Sequence, residues 1–394
     1  MLQPIAIAKD QAGTRASMAE PVTRHALISE GEGERFRFLL CGIDTLDLGF
    51  YVTWNGNWKA CLRSLDSLKI KAQREKNLIL KISSGRKLNF YPGGKGSNYR
   101  YHLEFEDYHL FISKSASGEK SPNVYVSLNS RTIWLQETKA VLKAIAEDLR
   151  SICNGAISFI QVSRCDLTVD FLVPGGLSLE FLQSHKVSRS RKANTYLNDD
   201  RLETYYAGDK SGTVQLRIYD KSREVLRDGK KLWFWDVWGM EPCMDIWRVE
   251  FQLRRAALKQ YGVDSLDDLH EKMGGIWKDL TETWFSLRLQ DNESSDRRTL
   301  HPFWKAVHAS AERFGPIAEV KRNLSGSGDA SVEWFLSHID GCLSSFAARL
   351  GAENREEALE ELGKRLNRRN PEEFKKKTAK RAISSGIVQK KGRK

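Results

Sequence analysis

Alternating apolar and polar side chains mark the segment Thr213-Val214-Gln215-Leu216-Arg217-Ile218-Tyr219-Asp220-Lys221. This period of two predicts a β-strand that buries one face and leaves the other polar. The polar face carries a tyrosine between two cations. Arg217 can clamp a phosphate, Lys221 can neutralise it, and the hydroxyl of Tyr219 can attack it. A solvated strand face explains the same pattern when this strand is taken alone.

Two further segments, residues 164–171 and 247–254, have the same alternation. Three strands that each have one apolar face can form an antiparallel sheet with one covered face and one open face. The open face is predicted to carry Arg164, Asp166, Thr168, Asp170, Arg217, Tyr219, Arg248, Glu250, Gln252 and Arg254. Carboxylates bind hard divalent cations, and a cation beside a tyrosine and an arginine is typical of metal-assisted phosphodiester cleavage.

The composition is that of a large globular protein. The 394 residues are 40% hydrophobic, which is enough for a sizeable core and predicts two domains. The 6 cysteines form no Cys-x-x-Cys pair and are expected to be reduced, buried thiols of a cytoplasmic protein. The N-terminal residues lack a basic region followed by an apolar core, and no apolar run of about 18 residues occurs. No signal peptide, membrane span or membrane partner is therefore expected.

The net charge of +12 is concentrated at the C-terminus. Residues 364–394 contain thirteen Lys or Arg and two Glu, and they carry +11 of that charge. Such a tail predicts a nucleic-acid tether, with a solubilising terminus as the alternative. A basic loop is predicted to grip phosphates beside the three strands, although an exposed loop explains it too. The cations assigned to DNA binding in and near this loop are Lys186, Arg189, Arg191, Lys192 and Lys210.

Strand patterns come first along the chain, and helical patterns follow. Residues 1–33 are expected to be disordered, and residues 34–288 are predicted as an α+β domain with a mainly antiparallel sheet and flanking helices. An α-helical region at 296–352 and a helix with the basic tail at 353–394 follow. The helices predicted in the second half of the chain include 266–287, 301–314, 317–322 and 332–350.

Two segments have both a structural and a functional explanation. Residues 92–98 contain three glycines and Lys95, and they are interpreted first as a turn because the Walker spacing for wrapping a phosphate is missing. Residues 233–238 contain three tryptophans. These rings can stack on bases, but packing in the core is the expected role.

These motifs resemble the replication initiation factor family. The family includes initiators of rolling-circle plasmids, replication proteins of filamentous phages and relaxases of some integrative conjugative elements. Residues 164–170 are similar to its R-x-D-x-x-x-D strand, and residues 204–208 with 216–221 are similar to its hairpin ending in R-I-Y-D-K. Arg248-Val249-Glu250 resembles its R-x-E strand, and Gly42-Ile43-Asp44 resembles its opening. The loop that begins at Gly208 lacks the family's first serine, and the resemblance covers about residues 40–260.

The resemblance implies an enzyme that nicks and joins DNA at the origin of a mobile replicon. Tyr219 would attack a phosphodiester in single-stranded or extruded hairpin DNA, which gives a 5′-phosphotyrosyl link and a free 3′-OH. A free tyrosine has a pKa of about 10, so it needs help from Mg²⁺ or Mn²⁺ and from nearby cations. Arg217 and Lys221 are assigned as catalytic residues, and Arg164 and Arg248 as DNA contacts.

The metal ligands and the nucleophile each have alternatives. Asp166 with Glu250 is the favoured metal pair, and Asp170 is the third candidate because it lies about 13 Å from Asp166 on a straight strand. Tyr205 and Tyr206 on the paired strand are rival nucleophiles. A structural network of ion pairs explains part of the acid–base alternation.

Other classes of protein fit less well. HUH nucleases bind metal through His-x-His, and the 8 histidines include no such pair. Tyrosine recombinases usually carry the nucleophile on a helix near the C-terminus. A non-catalytic DNA-binding regulator is the alternative from another class, and a conjugative relaxase would use the same chemistry. Origin recognition, homodimerisation and contact with a host helicase are candidate roles for the C-terminal helices.

Overall fold

The computed structural model describes residues 3–4, 36–75, 78–83, 85–119, 121–320, 322, 332–368 and 370–384. The disorder predicted for residues 1–33 lies outside this part of the chain, apart from residues 3–4, and so does the end of the basic tail, 385–394. The chain divides into two compact units, residues 1–321 and 322–394.

The structure contains the following strands and helices. The strands are β1 (Gln3–Pro4), β2 (Arg37–Trp54), β3 (Leu78–Lys81), β4 (Lys87–Tyr91), β5 (Tyr99–Glu104), β6 (Tyr108–Ser113), β7 (Val124–Leu128), β8 (Gly155–Leu172), β9 (Lys186–Ser188), β10 (Ala193–Asn198), β11 (Arg201–Ala207), β12 (Val214–Asp220), β13 (Ile246–Arg254) and β14 (Phe285–Leu287). The helices are α1 (Trp58–Arg74), α2 (Ser130–Leu135), α3 (Thr138–Cys153), α4 (Leu179–His185), α5 (Lys221–Asp228), α6 (Phe234–Trp238), α7 (Arg255–Gln260), α8 (Leu266–Asp279), α9 (Pro302–Ala309), α10 (Val332–Leu350), α11 (Arg355–Asn367) and α12 (Pro371–Ser384). A π-helix covers Leu280–Trp284, and a 3-10 helix covers Ser310–Phe314. None of the described helices is both long and apolar enough to span a bilayer.

One antiparallel sheet spans the first unit, which confirms the predicted α+β class. Its strand order is β1-β3-β4-β5-β6-β7-β2-β8-β13-β12-β11-β10. The three strands that carry the polar motifs, β8, β13 and β12, are neighbours in that order. Arg217 pairs with Glu250, and Glu250 pairs with Thr168, so the motif residues lie in rows across three strands.

The apolar face of the sheet forms the main core. Leu167, Val169, Leu216 and Ile218 are fully buried there, as the alternation predicts. Buried residues of α1, α3 and α8 join the same core. Each such aliphatic side chain contributes about 1.5–3 kcal/mol through burial, so this face holds the sheet and helices together.

The polar face is less open than the sequence predicts. Asp166, Asp170, Arg248 and Glu250 are each at most 1% exposed. A second apolar cluster, which contains the buried Phe234, Trp235 and Trp238 of α6, covers part of this face. The aromatic residues at 233–238 therefore pack in a core, as expected.

The boundary between the units differs from the predicted one. Residues 296–321, predicted with the C-terminal helices, belong to the first unit. Indole groups explain this placement, because Trp277 of α8 donates to the carbonyl of Val307 at 2.8 Å and Trp304 of α9 donates to that of Thr281 at 2.8 Å. These bonds dock α9 onto the end of α8. The second unit consists of α10, α11 and α12, and Arg355 there pairs with Asp340 at 2.7 Å.

Two helix predictions were wrong in part. The helix predicted at 266–287 ends at Leu280–Trp284, and the chain then forms β14, which pairs with β9. Residues 317–320 form no helix. Gly274 and Gly275 of α8 lie against the carbonyl groups of Gly315, Pro316 and Ala318, so closely that a Cβ on either glycine would clash with them.

Candidate active site

Tyr219 lies at the end of β12, directly before α5. Asp220 caps that helix, because its Oδ1 accepts hydrogen bonds from the Arg223 N–H at 3.0 Å and from the Ser222 hydroxyl at 2.5 Å. The cap turns the chain sharply from strand to helix. Lys221, the first residue of α5, therefore folds back beside Tyr219, and its Nζ lies 3.5 Å from the tyrosine oxygen.

A carboxylate on the neighbouring strand accepts a hydrogen bond from the tyrosine hydroxyl. Tyr219 donates to Oε2 of Glu250 at 3.0 Å, and Oε1 of Glu250 lies 3.0 Å from Nη1 of Arg217. Nη2 of Arg217 donates to Gln252 at 2.6 Å. Tyr219 and Arg217 are partly exposed, whereas Glu250 is buried. A hydroxyl, a carboxylate and a guanidinium therefore meet where the polar face can still be reached.

Burial and charge set the protonation of these groups. Burial raises the pKa of Tyr219 well above its usual value, and the Glu250 carboxylate raises it further. Burial also raises the pKa of Glu250 to about 7, although Arg217 opposes this shift. Burial lowers the pKa of Lys221, and the Arg248 cation lowers it further. The resting tyrosine is therefore a phenol hydrogen-bonded to a carboxyl group that can exchange a proton near neutral pH.

Glu224 holds Lys221 in place, a role that was not predicted from the sequence. Its Oε2 lies 2.6 Å from Nζ of Lys221, and its Oε1 lies 2.5 Å from Nζ of Lys231. Lys221 is fully buried, so its charge depends on such a partner. The i,i+3 spacing of Lys221 and Glu224 on one helix is the signal that could have identified the pair.

Arg248 belongs to a buried ion-pair network, which corrects its assignment as a DNA contact. Its Nε and Nη2 bind the two oxygens of Asp170 at 2.6 and 2.7 Å, and its Nη1 binds Asp44 at 2.6 Å. Trp238 also donates to Asp170, at 2.8 Å. Arg248 has no exposed surface, so it cannot reach a phosphate in this arrangement. Asp170 fits a metal less well than Asp166, since its Oδ2 already accepts two hydrogen bonds, from Arg248 and Trp238, and its Oδ1 accepts a third.

Asp166 and Glu250 are the carboxylates that fit a divalent ion. They lie diagonally on adjacent strands, which places their Cα atoms about 7 Å apart. Thr168 lies beside both, and its buried hydroxyl has no hydrogen-bond partner among the described residues. Two carboxylates and a hydroxyl suit Mg²⁺, which takes few protein ligands and keeps several waters.

The same pair also has competing partners. Arg164, which is partly exposed, binds Asp166 through Nε at 2.8 Å and Nη2 at 2.5 Å, and Arg217 binds Glu250. Each carboxylate keeps free lone pairs beside its arginine. Within the described ranges, no three His, Cys, Asp or Glu side chains are grouped as a metal site. An ion here would therefore rely on water and on the substrate for its other ligands.

The rival tyrosines lie on opposite faces of β11. Tyr206 pairs with Arg217 and shares the polar face, and its ring lies 5.8 Å from that of Tyr196. Tyr205 pairs with Ile218 on the apolar face and is 2% exposed. Of these two tyrosines, Tyr206 is the one that the structure brings to the face of Tyr219.

The basic loop lies away from Tyr219. The cations Lys186, Arg189, Arg191, Lys192 and Lys210 are all exposed. The loop meets the β11–β12 turn, where the Gly208 N–H donates to the carbonyl of Lys192 at 3.0 Å. Lys192 also pairs with Asp209. This turn is at the opposite end of β12 from Tyr219, about 17 Å along the strand, so the structure does not bring these cations to the tyrosine.

Comparisons with known proteins give weak likenesses among solved structures. No family model matches the chain, and no curated protein matches it. Among solved structures, a rolling circle replication initiator protein from Geobacillus stearothermophilus is similar, with 15% sequence identity, coverage of 71% of this chain and 98% of that chain, and a TM-score of 0.40. A TM-score of 0.40 is too low to assign a fold or an activity to this chain.

Proposed function

We propose that this protein is a rolling-circle replication initiator that nicks and rejoins origin DNA with Tyr219 as the nucleophile. The observation that carries the proposal is the hydrogen bond of 3.0 Å from Tyr219 to Glu250, with Lys221 3.5 Å from the same hydroxyl. It joins a nucleophile, a proton acceptor and a cation at one point. The order of the motifs, which resembles the replication initiation factor family, supports DNA as the substrate.

The proposed reaction is a transesterification at phosphorus. The Tyr219 oxygen forms a bond to phosphorus while its proton passes to Glu250. The bond from phosphorus to the 3′ oxygen of the preceding nucleotide breaks, and that oxygen takes up a proton and leaves as a 3′-OH. The 5′ phosphate stays on the tyrosine. Attack by a 3′-OH on this link reverses the reaction and rejoins the strand.

Positive charge around the hydroxyl supports this step. The Arg217 side chain is 28% exposed, so it can reach a phosphate while it remains beside Glu250. Arg217 can stabilise the charge that develops on the phosphate oxygens. The buried Lys221 would act on the tyrosine oxygen, 3.5 Å from its Nζ. A divalent ion held by Asp166 and Glu250 would polarise the scissile phosphate. The 29% exposure of the Arg164 side chain supports its proposed contact with a phosphate of the same strand.

The test uses supercoiled DNA of the replicon that encodes the protein, with Mg²⁺ or Mn²⁺. Wild type and Tyr206→Phe are expected to give nicked circles with protein bound to the 5′ end. Tyr219→Phe is expected to give none while it still binds the DNA. An adduct formed by Tyr219→Phe would move the nucleophile to another tyrosine. If the wild type nicks under no metal condition, a non-catalytic DNA-binding regulator is the better account.

A further inference from the structure

A row of aromatic rings crosses the sheet away from Tyr219. Tyr91 of β4 stacks on His102 of β5 with ring centroids 4.4 Å apart, and His102 stacks on Phe111 of β6 at 4.4 Å. Tyr125 of β7 continues the row, 6.3 Å from Phe111. Tyr91, His102 and Tyr125 are partly exposed. Tyr91, His102, Phe111 and Tyr125 are called the aromatic row below.

The aromatic row and the candidate active site lie on the same face of the sheet. The Tyr125 hydroxyl donates to Asp47 of β2 at 2.7 Å. Asp47 pairs with Arg164 of β8, and the guanidinium of Arg164 binds Asp166. Paired residues share a face, so one surface leads from the row to the site. Tyr125 lies in the row of Gln161 of β8 and Tyr219 in the row of Asp170. The two tyrosines are therefore four strand spacings, about 19 Å, apart across the sheet and also about 30 Å apart along the strands.

Lysines flank the aromatic row. Lys95 extends from the turn at 92–98 and places Nζ 4.4 Å from the ring centroid of Tyr125 and 5.0 Å from that of Phe111. Lys81 and Lys87 are exposed cross-strand partners, and neither forms an ion pair with a described residue. Like charges directly opposite each other destabilise a sheet. This pair, which lies on the same face as Tyr91 and about 13 Å from it along β4, fits a surface that binds an anion.

The other polar groups of this surface keep the rings uncharged. The Tyr91 hydroxyl donates to Glu104 at 2.5 Å, so this carboxylate is already hydrogen-bonded. Nε2 of His102 and Nδ1 of His109 are 3.0 Å apart, which requires that one of them carries no proton. Burial lowers the pKa of His102 to about 4, and His109 lowers it further. At neutral pH the row is therefore a stack of neutral rings.

A polar pocket adjoins the aromatic row. Its volume is about 420 Å³, and its lining includes Ser97, Asn98, Tyr99, Ser113, Lys114 and Ser115. The Tyr99 ring lies 5.5 Å from that of Tyr125, which connects the pocket to the row. Hydroxyl, amide and ammonium groups are the ones that contact phosphate and sugar in nucleic-acid complexes.

We infer that the aromatic row with Lys81, Lys87 and Lys95 binds single-stranded DNA on the face of the sheet that carries the active site. Unpaired bases would stack on the end of the row at Tyr91 and pack against the exposed ring edges, and the lysines would contact the phosphates. The inference rests on the proposed function for the choice of DNA, and it names where the strand leading away from the nick runs. A single strand fits better than a duplex, because rings can stack only on bases that are not paired inside a helix.

The test measures the fluorescence anisotropy of a labelled oligothymidylate in EDTA. Tyr91→Leu removes a ring and keeps an apolar side chain, and it is expected to weaken binding about 10-fold without changing the salt dependence. Lys95→Gln is expected to reduce the slope of log affinity against log salt by about 0.7, which corresponds to one lost phosphate contact. The matched control is Lys139→Gln on α3, whose buried residues pack in the core on the other face. Thermal unfolding checks that each variant is folded.

Each outcome decides between the two proposals. Unchanged affinity and an unchanged slope in both variants would overturn the inference. Equal losses with a duplex of the same length would make the surface a duplex-binding one and also overturn it. If Tyr91→Leu does not fold, the exposed double variant of Lys81 and Lys87 to Gln provides the same slope test. If the wild type binds the oligonucleotide but never nicks DNA, only the proposed function is contradicted. If the wild type nicks DNA and the variants of the aromatic row bind as tightly as the wild type, only this inference is contradicted.

Discussion

Asp170 and Arg248 form a bidentate ion pair in the centre of the sheet, with nitrogen–oxygen distances of 2.6 and 2.7 Å. Neither side chain has any exposed surface. Asp166, on the same strand and face, pairs instead with Arg164, which is 29% exposed. The two aspartates of one sequence motif therefore have different surroundings. The first borders the candidate active site, and the second lies inside a structural network.

This difference predicts unequal effects on stability. Asp170→Asn is expected to lower the free energy of unfolding by about 3 kcal/mol, because it leaves the buried Arg248 without a full countercharge. Asp166→Asn is expected to cost about 1 kcal/mol or less, since Arg164 can turn towards water. Urea unfolding at pH 7 measures both, and each variant is the matched control of the other. Equal losses would show that Asp170 is not the structural partner inferred here.

Glu250→Gln tests the proton acceptor. The amide keeps the shape of the side chain but cannot take the phenolic proton. The nicking rate is expected to fall by about 10²–10⁴, which is the usual contribution of a general base. Single-stranded DNA binding in EDTA is expected to stay within about twofold of wild type. Glu147→Gln, an exposed change on α3, is the control, and an undiminished nicking rate in Glu250→Gln would remove this role.

Metal removal tests the proposed Asp166 and Glu250 pair. Nicking by the wild type is expected to stop in EDTA and to return with Mn²⁺ or Mg²⁺. Asp166→Asn is expected to need a higher metal concentration, and titration calorimetry with Mn²⁺ should show weaker binding. Folded Asp170→Asn should respond to metal as the wild type does. Full activity in EDTA, or one metal dependence for all three proteins, would argue against the site.

His102 predicts an acid-sensitive stability. Its pKa in the folded protein is lowered from 6.5 to about 4, chiefly by burial. As the pH falls below 6.5 the unfolded chain takes up this proton first, so the stability present at neutral pH is lost between about 6.5 and 4. The loss is at most about 3 kcal/mol. Thermal unfolding at pH 7 and 4.5 should show a smaller decrease for His102→Phe than for wild type or for the exposed control His270→Gln.

Sequence patterns predicted several strands of the sheet, but they did not predict which parts of its polar face are covered. The alternation at 164–171, 213–221 and 247–254 predicted three strands and their apolar faces, and these strands are neighbours in the structure, although β12 ends at Asp220. The polar face was expected to be open. It is partly covered because α6, with Phe234, folds onto it from a segment outside those strands. No local pattern indicates which face of a sheet a short helix will cover.

Within the candidate site, too, some residues were predicted from the sequence and others were not. Tyr219, Arg217 and Lys221 were recognised as a group because they alternate in a segment predicted as one strand, although Lys221 begins α5. Glu224 was missed, although it lies three residues from Lys221 and binds it at 2.6 Å. The different roles of Asp166 and Asp170 could not be predicted, because each depends on an arginine and its exposure.

The sequence by itself determined which side chains share a face, since side chains alternate along a strand whatever its neighbours are. Only the tertiary structure decided which side chains meet across strands. Tyr219 reaches Glu250 over 31 residues of chain, and Arg248 reaches Asp170 over 78. These contacts depend on the register between strands, which is set by the packing of the whole sheet, because a shift of one residue would place every side chain on the other face.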